Sequence, residues 1–380
     1  MRPTVLDVDL DALRHNFQTA SDLSGGVPLL AVVKGNAYGH GLVPVARALN
    51  AAGAAYLGVA TVAEGQALRD ARIGGPVLLM GGYLPEEAPD VVAARLTPAI
   101  FTTEQIEPLA EAARAAGTRL PVHLKVDTGM GRIGFAPEAA ADAVGRVAAR
   151  PELRLEAVFT HFAEADLADS SAAREQLARL MKLRAELGPE GAGVALWHVA
   201  NSAALMRGLR PEGEGVRSLA RPGIMLYGEP PSSDFTPPRP LKPVATWRAR
   251  LVQVKRVPAG TPVSYGRTFV TKRESVIGTL PVGYADGYPR ALSNRGRVLV
   301  GGRSVPVVGR VCMDMTLVDL TDLARVAGGA ALGDEAVLLG TQGEGRITAT
   351  EIANACGTIA YDILCAVSER VPRRYAGSRG

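Results

Sequence analysis

Lys34 ends the apolar run PLLAVVK and is followed at once by GNAYGHG, so an amine stands at the end of a buried segment beside a glycine-rich, freely bending backbone. Against apolar neighbours a lysine loses its proton at lower cost, and the neutral amine can attack a carbonyl carbon. Position alone favours a blander reading, a solvated lysine whose stem covers apolar surface. Arg132, in HLKVDTGMGRIG, carries the planar fork that suits a carboxylate, and six residues separate it from Lys125. Read without context, that pair is two rim cations, Arg221 is a surface or salt-bridged arginine, and Tyr265, in PVSYGRTF, is a packing tyrosine. GMGRIG formally matches a dinucleotide fingerprint. It follows the fifth apolar run rather than the first and puts Arg132 inside the turn, so a nicotinamide-dependent dehydrogenase is rejected.

The elements that must position these groups alternate. Eight short apolar runs (PLLAVVK, YLGVAT, PVLLMGG, TPAIFT, PVHLKVDT, LEAVFTHF, ALWHVANS and, less cleanly, LARPGIMLYG) are separated by amphipathic, Ala-rich stretches. Helix signals punctuate those stretches: Thr103 before EQIEPLAEAARAAG with Gly117 closing it, and Ser170 before SAAREQLARLMKLRAEL with Gly188 closing it. Strand-helix alternation implies a parallel sheet, and eight units over roughly 200 residues favour a closed (β/α)8 barrel. In such a barrel, Lys34 lies on the active, C-terminal face. Residues 229–243, EPPSSDFTPPRPLKP, hold six prolines and read as an extended connection. The expected domains are therefore residues 1–235, the barrel, and 236–380, a mostly antiparallel β domain, with residues 1–10 free to pair with the latter.

Composition excludes several function classes. Hydrophobic residues make up 47% and charged residues 21% of the 380, which is ordinary globular usage. A net charge of +4, with the basic stretch Arg295–Arg310 interleaved with Gly and Val rather than aromatics, gives no nucleic-acid footprint. Three cysteines (Cys312, Cys356, Cys365) have neither disulfide nor metal-ligand spacing, so no metal is expected and a reducing compartment fits. Cys356 and Cys365 read as buried small hydrophobes. The opening MRPTVLDVDLDAL lacks a basic region followed by an apolar core, and no apolar run approaches the ~20 residues that cross a bilayer. The expected location is cytoplasmic, away from membranes.

AVVKGNAYGHG closely resembles the cofactor-attachment motif of the alanine racemase family, with Gly35 where Ala is commoner. The resemblance recurs in family order through HLKVDTGMGRIG, VFTHFAEAD, HVANSAA, ARPGIMLYG, SYGRT, VGYADGY, GRVCMDM and YDILCAVSERVPR. It implies a pyridoxal 5'-phosphate enzyme, a homodimer with shared active sites, that interconverts L- and D-alanine for peptidoglycan. Lys34 would carry the cofactor. Tyr38, Ser202, Tyr361 and the backbone of Gly223 and Ile224 would surround the phosphate, and Arg221 would face the pyridine nitrogen. Lys34 and Tyr265, the latter from the partner subunit, would be the two bases that racemisation requires on opposite faces of Cα. His161 would also bind the cofactor, and His161 and Arg221, as neighbouring cations, would couple to that tyrosine and ease loss of its proton. Arg132 and the Met313 backbone would bind the substrate carboxylate, and Lys125 matches a position that is often carbamylated. Tyr284 and Asp286 would line the entrance.

An arginine that keeps its proton gives none to the pyridine ring, which weakens the ring as an electron sink and favours reprotonation at Cα over transamination. Two other readings fit the sequence less well. A cofactor carrier without turnover would have no use for the second domain. A racemase of broader specificity (serine, lysine or arginine) differs in pocket volume, which residue identity does not give.

Overall fold

The computed structural model describes residues 2–188, 193–325 and 329–377. Strand β1 (Thr4–Asp9) leads into the helix Leu10–Ser24, whose start is fixed by Asp9 accepting from the Asp11 and Ala12 N–H groups and whose end is a left-handed Gly25. Seven parallel strands follow in sequential order: β2 (Leu30–Val32), β3 (Tyr56–Val59), β4 (Val77–Leu79), β5 (Thr97–Ile100), β6 (Leu120–Lys125), β7 (Leu153–Phe159) and β8 (Leu196–His198). β2, β4 and β5 are buried along their whole length, as expected of a parallel sheet covered by helices.

The eighth expected run closes the barrel without becoming a regular strand. Trp197 donates to the Arg217 carbonyl and Arg221 to the Ala200 carbonyl on the β8 side. On the β2 side, Leu30 donates to the Ala220 carbonyl and Val32 to that of Pro222. Pro222 has no N–H to extend the ladder, which is why the stave stops there and turns at Gly223. Helix limits also differ by a residue or two. A short 3-10 turn, Thr103–Gln105, precedes the helix Ile106–Ala115, so Thr103 lies inside that turn and Gln105, not Thr103, precedes the helix; Gly117 and Gly188 are left-handed as expected of helix ends.

The C-terminal half is built from β9 (Ala245–Arg250), β10 (Gln253–Val257), β11 (Pro262–Val263), β12 (Phe269–Val270), β13 (Ser275–Leu280), β14 (Arg297–Val300), β15 (Arg303–Pro306), β16 (Thr316–Asp319), β17 (Glu335–Gln342), β18 (Gly345–Ile347) and β19 (Arg373–Ala376). The larger sheet runs β15-β14-β17-β9-β1-β19, a smaller one β10-β13-β16, and every pairing is antiparallel except β1 with β19. The first strand of the chain is thus paired on both sides by strands from the second half.

Residues 229–243 contain no helix or strand, yet they are anchored. Phe235 is buried beneath the Arg207 guanidinium, and the Glu229 carboxylate accepts from the Thr350 hydroxyl. Asn16, fully buried on the first helix, donates from Nδ2 to the carbonyls of Leu226 and Lys242 and accepts from the Lys242 N–H. Asn16→Ala leaves those backbone groups without partners, at about 1–3 kcal/mol for each buried orphan. The expected result is a loss of roughly 3 kcal/mol or more in urea unfolding with an unchanged slope, and an unmoved midpoint would contradict this role.

Candidate active site

After β2 the chain enters a left-handed turn. Gly35, Asn36, Ala37 and Tyr38 have φ of 63°, 54°, 54° and 51°. For non-glycine residues this costs roughly 1–2 kcal/mol each, so the turn needs support from outside. Glu64 supplies it. One carboxylate oxygen accepts from the Gly35 N–H (2.7 Å) and Asn36 N–H (3.2 Å), and the other accepts from the Ala60 N–H (2.8 Å). The Asn36 side chain accepts from the Leu42 N–H, and the His40 ring, kept neutral by burial, bonds the carbonyls of Ala37 and Tyr38. From the other side, the C-terminal segment presses so closely that a Cβ at Gly39 would lie 2.0 Å from the Leu364 carbonyl oxygen, and Arg373 donates to the Gly39 carbonyl.

The turn aims Lys34 and Tyr38 at the barrel mouth. Burial, with the nearby Arg132 guanidinium, lowers the Lys34 ammonium below the usual lysine range, and the Glu64 carboxylate opposes this. Tyr38 stacks on Tyr227 at 4.7 Å and faces Tyr361 at 6.0 Å. A Cβ at Gly223 would lie 2.4 Å from the Tyr38 hydroxyl, so only glycine fits there. Ser202 Oγ accepts from the Gly223 N–H (2.9 Å) and the Met225 N–H (3.4 Å), fixing the turn that begins at Ile224.

Cations crowd the same mouth. Lys125 is buried with its ammonium over one Phe159 ring face, and burial together with Arg221, Arg132 and Lys34 brings its pKa to about 7. Arg221 also sits over Phe159; it donates to His198 Nδ1 (2.6 Å) and to the carbonyls of Thr160 and Val199. Burial lowers its pKa to about 9, which leaves it a cation at neutral pH. His161, 3.4 Å from Arg221, is held neutral by burial and by Arg221, Lys125, Arg132 and Lys34, so of the two cations expected to act on a tyrosine only Arg221 carries charge.

The GMGRIG loop is shaped by Asp127. Its carboxylate accepts from the Gly129, Met130 and Arg132 N–H groups, and although burial pushes its pKa up, these donors hold it below the ordinary value. Gly134 leaves no room for a Cβ beside Asp127 N. The glycines therefore serve a tight turn that presents Arg132.

Lys34, Tyr38, Lys125, Arg132, His161, Ser202, Arg221, Gly223, Ile224 and Tyr361 thus gather at one barrel end. Tyr265 and Met313 do not: among the described residues, neither has a hydrogen bond or charge contact with that cluster. Both lie on an exposed face of the second half, with Tyr265 71% exposed, Met313 52%, Met315 49% and Tyr284 43%. The Tyr284 N–H bonds the Cys312 carbonyl and the Ala285 N–H that of Met313, which joins part of this face into one surface. Ser264, just before Tyr265, has φ 63° and ψ −173°, a region nearly reserved for glycine, and its hydroxyl is tied to the Arg310 carbonyl (2.6 Å).

Two sequence expectations need correction. Asp286 does not line an entrance; it is fully buried, where it pairs with Arg2 and lies 3.5 Å from Arg370, because a carboxylate at the end of a tight 3-10 turn points back into the protein. Neither Cys356 nor Cys365 is core: Cys356 is half-buried, and Cys365 is exposed with its sulfur close to Gly35 and Lys34, because the last turn of its short helix, Ala360–Cys365, covers the lysine loop. Sequence reasoning also passed over Glu64, although Thr61-x-x-Glu64 before an apolar helix is a capping-box pattern that marks both residues.

The family model for the alanine racemase N-terminal domain matches residues 8–231, and that for the C-terminal domain matches residues 244–375. The alanine racemase of Symbiobacterium thermophilum is 47% identical over 99% of this chain and 98% of its own length. That of Syntrophobacter fumaroxidans is 46% identical over 95% and 94%. Among solved structures, the alanine racemase of D-cycloserine-producing Streptomyces lavendulae superposes with a TM-score of 0.92 at 38% identity, covering 100% of this chain and 98% of that one. The alanine racemase from E. faecalis gives 0.89 at 37%, covering 99% and 98%. With both halves matched and relatives this similar over their full length, the chain belongs to the alanine racemase family.

Proposed function

We propose that this chain interconverts L-alanine and D-alanine with pyridoxal 5'-phosphate as cofactor, using Lys34 and, from a second subunit, Tyr265 as its two bases. The observation that carries this reading is the convergence at one barrel mouth of a deprotonation-prone Lys34, a glycine-only approach at Gly223 and a persistently cationic Arg221. These groups fit the cofactor: an amine for its aldehyde, backbone and hydroxyl donors for its phosphate, and a cation for its ring nitrogen. When bound, the group supplies an electrophilic carbon for the lysine and a conjugated ring that acidifies the substrate Cα–H. The curated relatives are alanine racemases, which favours alanine over a broader substrate range.

The remaining chemistry belongs to the chain. Ser202, Gly223, Ile224, Tyr38 and Tyr361 hold the phosphate. Arg132, presented by the Asp127 turn, receives the substrate carboxylate, joined by the Met313 backbone of the second subunit. Lys34 Nζ moves the proton on one face of Cα and Tyr265 moves it on the other, while His161 and Arg221 supply the polar surroundings in which the tyrosine works. An exposed Tyr265, Tyr284, Met313 and Met315 face supports a homodimer, since a surface of this kind is costly to leave in water. We place the domain boundary at 235/236, within the proline-rich connection. Three unpaired thiols favour the cytoplasm, where D-alanine would be made for peptidoglycan.

The test of the activity is chiral analysis after incubation with L-alanine, combined with borohydride trapping. D-alanine and an adduct on Lys34 are expected, and no adduct would defeat the reading. Sharing of sites makes a sharper prediction. Mixing Lys34→Ala and Tyr265→Ala subunits should restore roughly a quarter of wild-type activity, because half of the dimers are hybrids with one intact site. Hybrids that are demonstrably formed and inactive would exclude the shared site. Gly223→Ala should weaken cofactor retention about tenfold in an absorbance titration, with the circular dichroism unchanged. With an amine pKa near 7, Lys125 is neutral and able to add carbon dioxide above that pH, releasing a proton as the N–C bond forms. After labelling with 13C-bicarbonate, a carbamate resonance should therefore grow as pH rises through about 7 and be absent in Lys125→Arg. A resonance that survives the substitution would move the modification elsewhere.

A further inference from the structure

Arg221 is the near end of a polar chain that runs down the barrel interior, where apolar packing is the rule. Its Nη1 lies 2.6 Å from His198 Nδ1; His198 Nε2 lies 3.1 Å from His123 Nδ1; and His123 Nε2 lies 3.3 Å from a Glu156 carboxylate oxygen. The Tyr56 hydroxyl donates to that same oxygen at 2.6 Å, and Arg154 donates to the other at 3.1 Å. His198 and His123 are completely buried, and burial holds both on the neutral side of their usual titration. Tyr56 starts β3 and Glu156 lies on β7, staves far apart in the strand order, so their contact falls inside the ring.

Hydrogen-bond bookkeeping gives the chain a direction. A guanidinium can only donate, and an ionised carboxylate can only accept. Glu156 is ionised at neutral pH: burial raises its pKa, but the bonds from His123 and Tyr56 outweigh this and bring it to about 2. His123 must then carry its proton on Nε2 and accept on Nδ1. His198 must likewise carry its proton on Nε2, leaving Nδ1 as a lone pair for Arg221. With either imidazole in the opposite tautomer, two donors or two acceptors would face each other somewhere along the chain. The strand itself is built for this. Val122 pairs with Leu155 but His123 pairs with Ala157, so the ladder of β6 with β7 slips by one residue at Glu156. A bulge re-aims a side chain and is retained where that side chain has work to do.

We propose that Glu156 is a positioning residue for the racemase site, fixing the tautomers of His123 and His198 from the far end of the barrel so that His198 accepts from Arg221. This rests on the reading above that Arg221 serves the cofactor ring. Without the acceptor at Glu156 the chain is directed from the Arg221 end alone; His123 can then move its proton to Nδ1 and set a donor against His198 Nε2–H, which weakens the anchor His198 gives the guanidinium and, with it, control of where the proton returns.

The test is long-range 1H–15N correlation of the histidines in labelled protein with and without pyridoxal phosphate, comparing wild type, Glu156→Gln and Glu156→Leu. Wild type should show Nε2–H at both His123 and His198. Glu156→Gln should do the same, since its amide oxygen still accepts from His123 and Tyr56. Glu156→Leu should populate Nδ1–H at one or both histidines. In the loaded enzyme, Glu156→Leu should lower kcat for racemisation about tenfold at unchanged KM and raise transamination per turnover, with Glu156→Gln close to wild type. Nδ1–H at either histidine in wild type would overturn the proposal, and that result stands even if Glu156→Leu does not fold. Shifted tautomers with an unchanged ratio of racemisation to transamination would overturn the link to Arg221. An inactive wild type with the expected tautomers would instead defeat the assigned activity and leave the directed chain standing.

Discussion

The left-handed turn from Gly35 to Tyr38 is the constraint on which the rest of the site depends. Three of its four residues have a Cβ, so the turn is uphill by several kcal/mol at about 1–2 kcal/mol each and would relax if left alone. It is held by two bodies that are remote in sequence. Glu64, at the start of the helix Val62–Asp70, gathers three backbone N–H groups from the two neighbouring barrel loops. Leu364, Arg373 and Tyr375, near the end of the chain, cover Gly39 and Gly41 so tightly that neither tolerates a side chain. The lysine at the barrel mouth is therefore oriented by the second half of the chain as much as by the strand that carries it. The threading of β1 between β9 and β19 serves the same end, because it ties the barrel's first helix to the sheet that bears the covering segment.

Electrostatics at the mouth follows from that geometry. Lys34, Lys125, Arg132 and Arg221 are close enough to perturb one another, and the nearest carboxylates are committed elsewhere: Glu64 to the lysine turn, Asp127 to its own loop. A partly buried excess of positive charge has two outlets. The groups able to lose a proton do so, which lowers the two lysines and keeps His161 neutral. What remains favours anionic ligands, and a phosphate dianion together with a carboxylate is the load such a mouth accommodates best. The cost of deprotonating Lys34 is thus set by burial and by the arginine beside it.

What the sequence made legible, and what it did not, divides along contact distance. Lys34, Arg132 and Arg221 were readable because each lies where a strand ends and a loop begins, and local patterns report that. The alternation of eight apolar runs gave the barrel, with the last stave irregular for the reason Pro222 supplies. Partners set by tertiary approach were not readable. His198, His123 and Glu156 sit on three strands with nothing in their spacing to join them, and a bulge hidden in the ladder brings Glu156 into line. Asp286 was misread because an aspartate in a Gly-rich turn looks like a surface residue, while its role is to neutralise Arg2 from the end of the chain. Cys365 was misread because a small apolar residue on a short helix gives no sign that the helix covers a functional loop.

The exposed face around Tyr265 is harder to explain on a single chain than on two. Ser264 occupies a backbone region that costs a non-glycine residue on the order of 1–3 kcal/mol, and Arg267 has φ 51°. Gly309 leaves no room for a Cβ against Ser264, and the Arg310 carbonyl takes its hydroxyl, so the strain is held in place rather than tolerated. Yet the residue so carefully presented is a tyrosine 71% exposed with no partner from its own barrel among the described residues. Strain of this kind persists where the surrounding structure over-determines it and clusters at functional sites, and a rigidly offered phenol beside exposed methionines suits a surface that a second copy would cover. On the proposed reading, two strained backbones, the left-handed turn that aims Lys34 and the strained turn that aims Tyr265, would be the two halves of one site. Each is stabilised within its own chain, so association of two copies would have only to bring them together.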